Sequence, residues 1–135
     1  MAVSKSTEYE TIDFFTAIEA HVRWKIRLEA YIAGTSDEKL DPEVVCRDDQ
    51  CALGKWIHST GGAQFGSHPK FPELREVHAQ FHKSAGEVIR AVDRGDMETA
   101  RESLVKGDYA RYSQRVKAEL ARLALELDDW EKTGA

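Results

Sequence analysis

The stretch REVHAQFHKSAGEV, Arg75–Val88, decides how the chain folds. Together with Leu74 before it and Val92 after it, it sets Leu74, His78, Phe81, Ala85, Val88 and Val92 at steps of three and four, one face of an α-helix. Pro72 suits the first turn and Gly95 the stop, so a long helix is predicted between them. His78 and His82 lie one turn apart on this helix. They project from the same side, which brings two imidazoles within reach of one ion.

Other segments repeat the helical spacing. Phe14, Ala17, His21, Trp24, Leu28 and Tyr31 form a seam on a predicted first helix from about Thr7 to Ala33, closed by Gly34. His21 sits on that seam, between Ala17 and Trp24. At LDPEVV, Asp41 can cap and Pro42 can take the first position of a short helix that CRDDQ interrupts. A brief helical turn carries CALGKWI, and the glycine-bearing loop HSTGGAQFGSHPKFP follows. After Asp96 the pattern is helical again, with a break at Gly107. The last helix has a heptad of Ser113, Val116, Leu120, Leu123, Leu127 and Trp130. The expectation is an all-α, antiparallel helical bundle of about four main helices plus a short turn, one domain over residues 1–135.

Composition agrees with that architecture. The 135 residues are 41% hydrophobic and 32% charged, with 3 Pro and 9 Gly, as befits a helix-rich chain able to bury one core. The net charge of -5 disfavours nucleic acid as a partner, because such binding needs a basic face against phosphates. No window approaches the roughly 20 apolar residues of a membrane span, and the N-terminus has no apolar export core. A cytoplasmic location follows as the expectation. Cys46 and Cys51 then read as thiols rather than a structural disulfide.

A single histidine on an apolar face is commonly a core residue; three on inward faces ask for a different account. Burying three unpaired imidazoles is costly, whereas a metal satisfies one nitrogen of each. Cys51, at the head of a turn that packs back through Leu53 and Trp56, is the fourth candidate. Imidazole and thiolate together favour zinc over calcium or magnesium, and four protein donors would leave no open place for water.

HVRW at His21–Trp24, CALGKW at Cys51–Trp56 and HAQFH at His78–His82, in this order and at these separations, resemble the chemoreceptor zinc-binding (CZB) domain family of bacterial chemoreceptors and diguanylate cyclases. The resemblance runs from about Phe14 to Trp130. It implies a zinc-binding, non-enzymatic signalling module with His21, Cys51, His78 and His82 as ligands, and with Leu53, Gly54 and Trp56 shaping the turn that presents the cysteine. It also implies a homodimer, which suits the last heptad, and a redox or zinc-responsive role for Cys51, the oxidant being hypochlorous acid. Since the 135 residues contain no output domain, action in trans on a chemoreceptor or cyclase is expected. Trp24, Trp56 and Phe81 read as an apolar shell about the site.

Three further readings stand beside it. A DinB-like metal-dependent enzyme would use the three histidines around an open position, yet neither histidine of HAQFH has a Glu beside it as general base. A di-iron carrier needs more inward carboxylates than these motifs offer. Zinc could also be purely structural, sharing every ligand with the sensor reading. Cys46 reads as a plain small residue, a resolving thiol or an alternative ligand. Asp48 and Asp49 read as solvated loop or as acceptors for a ligand imidazole, and His58 and His68 as exposed and non-ligating.

Overall fold

The computed structural model describes residues 14–49, 51–59, 62–63 and 66–133, with side chains described outside 14–15 and 127–133. The predicted turn of helix before residue 14, and the side chains of Phe14, Leu127 and Trp130, lie outside the described residues. In chain order the helices are α1 (Phe14–Ala33), α2 (Pro42–Val45), α3 (Ala52–Ile57), α4 (Phe71–Asp93), α5 (Met97–Val105) and α6 (Asp108–Thr133). The protein is an all-α bundle, and α4 is its centre, touching α1, α2, α5 and α6.

Local chemistry sets the helix limits. Gly34 (φ 78) and Gly95 (φ 85) take the left-handed conformation that closes a helix with paired backbone bonds. Those bonds are present: Thr35 N–H to Ala30 O and Gly34 N–H to Tyr31 O end α1, and Asp96 N–H to Ala91 O and Gly95 N–H to Val92 O end α4. Asp41 caps α2 by accepting from Glu43 N–H, with Pro42 in the first turn. Asp96 caps α5 by accepting from Thr99 N–H at 3.2 Å, each cap being worth about 1 kcal/mol.

The seam positions of α4 go inside. Leu74, His78, Phe81, Ala85 and Val88 are buried, joined by Phe71, Val77 and Ile89. From α1 come Ala17, His21, Leu28 and Ile32, and from α6 come Tyr109, Val116, Leu120 and Leu123. Each such large side chain removed from water contributes about 1.5–3 kcal/mol. Ser113, Val116, Leu120 and Leu123 are therefore consumed inside the protomer. That part of the heptad is not a free face for a second copy.

Two contacts hold the small helices in register. A Cβ on Gly86 would meet Cys46 Cβ at 2.8 Å and Pro42 O at 3.3 Å, so α2 lies directly on α4 one turn beyond His82. A Cβ on Gly54 would fall 1.7 Å from Asp48 O, so the segment before Cys51 lies against α3. One loop expectation is corrected. His68 is buried, not exposed; its Nδ1 accepts from Lys70 N–H at 3.0 Å and its Nε2 lies 3.6 Å from Glu126 Oε1. It serves the uncapped start of α4, a role that aperiodic loop sequence does not signal.

Candidate metal centre

Three elements deliver one donor group of four residues. His21 comes from α1, Cys51 from the N-cap of α3, and His78 and His82 from α4. One donor atom from each lies within 4.8 Å of all the others, and no carboxylate joins the group among the described residues. Cys51 Sγ is 3.3 Å from His78 Nε2 and 3.5 Å from His82 Nε2. Tetrahedral zinc, with arms of about 2.3 Å to sulfur and 2.0–2.1 Å to nitrogen, has S···N edges of about 3.6 Å. The observed spacing is close to that.

The backbone sets the tautomers of two imidazoles. His21 Nδ1 is 2.6 Å from Ala17 O, and His82 Nδ1 is 3.0 Å from Val45 O. A carbonyl only accepts, so both Nδ1 atoms carry the proton and both Nε2 atoms carry the lone pair. His21 Nε2 is buried with no hydrogen-bond partner, the condition expected of a nitrogen reserved for a metal. His78 differs. Its Nε2 faces the sulfur, while its Nδ1 is buried without a partner, so packing rather than an acceptor fixes its ring.

Electrostatics prepare the same state. Burial pushes His21 down to about 4, against the pull of Ala17 O, and burial followed by the charge of His82 pushes His78 down to about 2. His82 is also lowered by burial, with Val45 O opposing. All three are thus neutral at pH 7, the form that ligates. The Cys51 thiol is raised, first by burial and in part by Asp48, although the N–H groups of Gly54 and Leu53 oppose this. Without a cation this sulfur keeps its proton; a divalent ion among neutral imidazoles would reverse that.

The surrounding shell is apolar. Phe81 packs edge-on to His21 and His82, at centroid distances of 5.0 and 5.3 Å. Leu53 and Trp56 are buried, and Trp56 meets Phe71 edge-on. Trp24 is half-buried, with the Arg27 guanidinium 3.9 Å over its ring. Gly54 permits the turn because any side chain there would strike Asp48 O.

Other candidates fall outside the donor group. Cys46 ends α2, half-buried, with its Sγ 3.5 Å from Glu43 O. Asp48 lies 3.2 Å from exposed His58 rather than orienting a ligand imidazole. The orienting acceptors are the carbonyls of Ala17 and Val45, which sequence reasoning missed because every residue carries a carbonyl. Only the helical offset of four from His21 back to Ala17 could have suggested the first.

A helical bundle that gathers three imidazoles and one thiol at a buried point defines a class, the all-α proteins with a mixed nitrogen and sulfur centre for a soft divalent metal. The chemoreceptor zinc-binding domain matches residues 21–89, a span that starts at His21, includes all four donors and covers just over half of the chain. The chain belongs to the chemoreceptor zinc-binding domain family. No curated protein and no solved structure matches it.

Proposed function

We propose that the protein is a sensory module in which His21, Cys51, His78 and His82 hold one zinc ion and Cys51 is the responsive ligand. The observation that carries this reading is the approach of Cys51 Sγ to His78 and His82 at 3.3 and 3.5 Å beside the lone pair of His21. Bound zinc would keep the sulfur as thiolate at neutral pH. Three neutral imidazoles and one thiolate would leave a centre of charge +1 with no open position, which favours signalling over the DinB-like alternative.

The switch lies on the sulfur. Thiolate attack on the chlorine of hypochlorous acid forms S–Cl and releases hydroxide; water then replaces chloride to give the sulfenic acid and HCl. Oxidised sulfur is a poorer ligand, and the α2–α3 segment that carries it becomes the mobile element. Loss of zinc at low metal would free the same segment, so both signals share one output.

The family points to a chemoreceptor or diguanylate cyclase as the protein acted on in trans, in the cytoplasm, where free Cys46 and Cys51 stay reduced. Among the described residues no helix is long and apolar enough to cross a membrane. A homodimer would form through exposed Val22 and Ile26, one turn apart on α1, with Leu125 of α6. Ile26→Glu should then convert the dimer to monomer in sedimentation; a wild-type monomer at micromolar concentration rules the dimer out.

Cobalt substitution tests the site. Intense d–d bands with a thiolate charge-transfer band are expected, and weak bands without it would bring the open three-histidine site forward. Treatment with one equivalent of hypochlorous acid should release zinc from the wild type and leave Cys51→Ser unaffected. Equal release from both would remove Cys51 as the switch.

A further inference from the structure

A cleft of about 470 Å³ opens beside the donor group, within the size range of small-molecule sites. Of the four donors, Cys51 and His82 line it, while His21 and His78 lie behind them. Its walls are Trp24 of α1, Leu40 ahead of α2, and Val44 and Val45 of α2. Both α4 imidazoles and Gly54 N–H lie within 3.5 Å of the sulfur, and Leu53, Trp56 and Ile57 of the α3 turn that follows it are buried. Cys51 is half-buried and lines this cleft.

The rim of the cleft is charged. Arg27, Lys39 and Arg47 stand against Glu38 and Asp41. Arg27 is neutralised by Glu38 through bonds of 3.0 and 2.6 Å, while Asp41 accepts from Glu43 N–H at 2.9 Å and keeps its charge, outnumbered by the two other cations. Lys39 and Arg47 remain, Arg47 having an exposed 3.4 Å contact with Asp49 that contributes little. The rim is net cationic, above a floor that the bound ion would also make positive.

We infer that this cleft is the port through which small reagents reach the Cys51 sulfur, and that the Lys39 and Arg47 rim admits uncharged and anionic reagents ahead of cationic ones. The inference rests on the reading of Cys51 as the responsive ligand and names what that ligand responds to. The cleft is far larger than one water molecule, so a two- or three-atom oxidant enters hydrated and meets sulfur before it meets His78 or His21, which do not line the cleft. Apolar walls favour neutral molecules, and hypochlorous acid, peroxide and small organic electrophiles fit this class. A bulky cation does not.

The test follows Cys51 alone, by peptide-resolved mass spectrometry on the full-length zinc-loaded protein. The probes are three methanethiosulfonates: a neutral methyl, an ethylsulfonate and an ethyltrimethylammonium. In each, the sulfur of Cys51 attacks the sulfenyl sulfur, an S–S bond forms, and methanesulfinate leaves with the electron pair. Val44 is exposed enough to accept a larger side chain, so Val44→Trp should plug the cleft and slow the neutral probe about fivefold or more. Val44→Ala should react at least as fast as the wild type. Equal rates in all three proteins would overturn the port. Arg47→Glu should lower the sulfonate-to-ammonium rate ratio about threefold or more after screening, and an unchanged ratio would overturn the charge selection. The cobalt spectra of the same variants report separately whether Cys51 is a ligand, so a ligand without a port and a port without a ligand give different pairs of results.

Discussion

Around His78 and His82, α4 is packed against donors whose lone pairs face one another, and two buried imidazole nitrogens have no partner. One to three turns further on, Ala85, Val88, Ile89 and Ala91 are almost wholly buried with no such need. The same helix thus has one half arranged around donor atoms and one half packed by apolar side chains alone. Apolar packing there is non-directional and tolerant, whereas the donor half has four atoms whose positions decide everything. Fold and site are therefore separable, and each variant below should fall on one side of that division.

The largest effect is expected from removing both α4 donors. His78→Ala with His82→Ala should reduce zinc from one ion per chain to background by atomic absorption while the helical circular dichroism persists. Full occupancy in that variant would break the assignment; complete unfolding would break the separation between the two halves. Cys51→Ala comes next. Structural zinc sites supply about 10–16 kcal/mol, or about 3 kcal/mol for each of four ligands, so a loss of about 100-fold in affinity is expected in a competition titration. An unchanged affinity would make Cys51 a bystander.

Much of this division was legible in the sequence, for reasons that lie in periodicity. Leu74, His78, Phe81, Ala85 and Val88 announced both the helix and its buried face, while Gly34 and Gly95 marked the ends of α1 and α4 and Asp41–Pro42 the start of α2. His21, His78 and His82 stood out because imidazoles on apolar faces are expensive unless used, and Cys51 because it heads a turn that Leu53 and Trp56 draw back onto the bundle. What stayed hidden has no side-chain signature: the Ala17 and Val45 carbonyls that set the tautomers, and the burial of His68 in an aperiodic loop. The heptad of α6 announced a helix and a buried face but not what covers that face. A repeat of Ser113, Val116, Leu120 and Leu123 looks the same whether its partner is a second copy or α4 of the same chain.

Gly54→Ala sharpens the comparison at the donor half. The added methyl must displace the Asp48 carbonyl from 1.7 Å, which moves the turn that holds Cys51 without touching any ligand. A cost of about 1–3 kcal/mol in stability and a loss of about tenfold in zinc affinity are expected, the latter in the range seen when the groups that orient ligands are disturbed. If stability falls and affinity does not, the turn finds its place once zinc binds.

The smallest effect at neutral pH, and the clearest contrast, belongs to Tyr109. Its ring packs on Phe81 at 5.2 Å, its hydroxyl is buried without a hydrogen-bond partner, and burial, aided by the charge of Glu29, pushes its ionisation well above the ordinary tyrosine range. An ordinary tyrosine ionises near 10. Between those values the unfolded chain gives up a proton that the folded one keeps, so the stabilisation is whole below pH 10. It is lost at about 1.4 kcal/mol per pH unit as the pH rises from 10 towards the raised value of the folded state. Tyr109→Phe should remove that component from the alkaline limb of urea denaturation curves. At pH 7 the same variant should change stability by less than about 1 kcal/mol, because no bonded partner is orphaned. A loss of several kcal/mol at pH 7 would mean that the hydroxyl is bonded after all, and that the packing around Phe81 depends on one directional contact rather than on apolar burial.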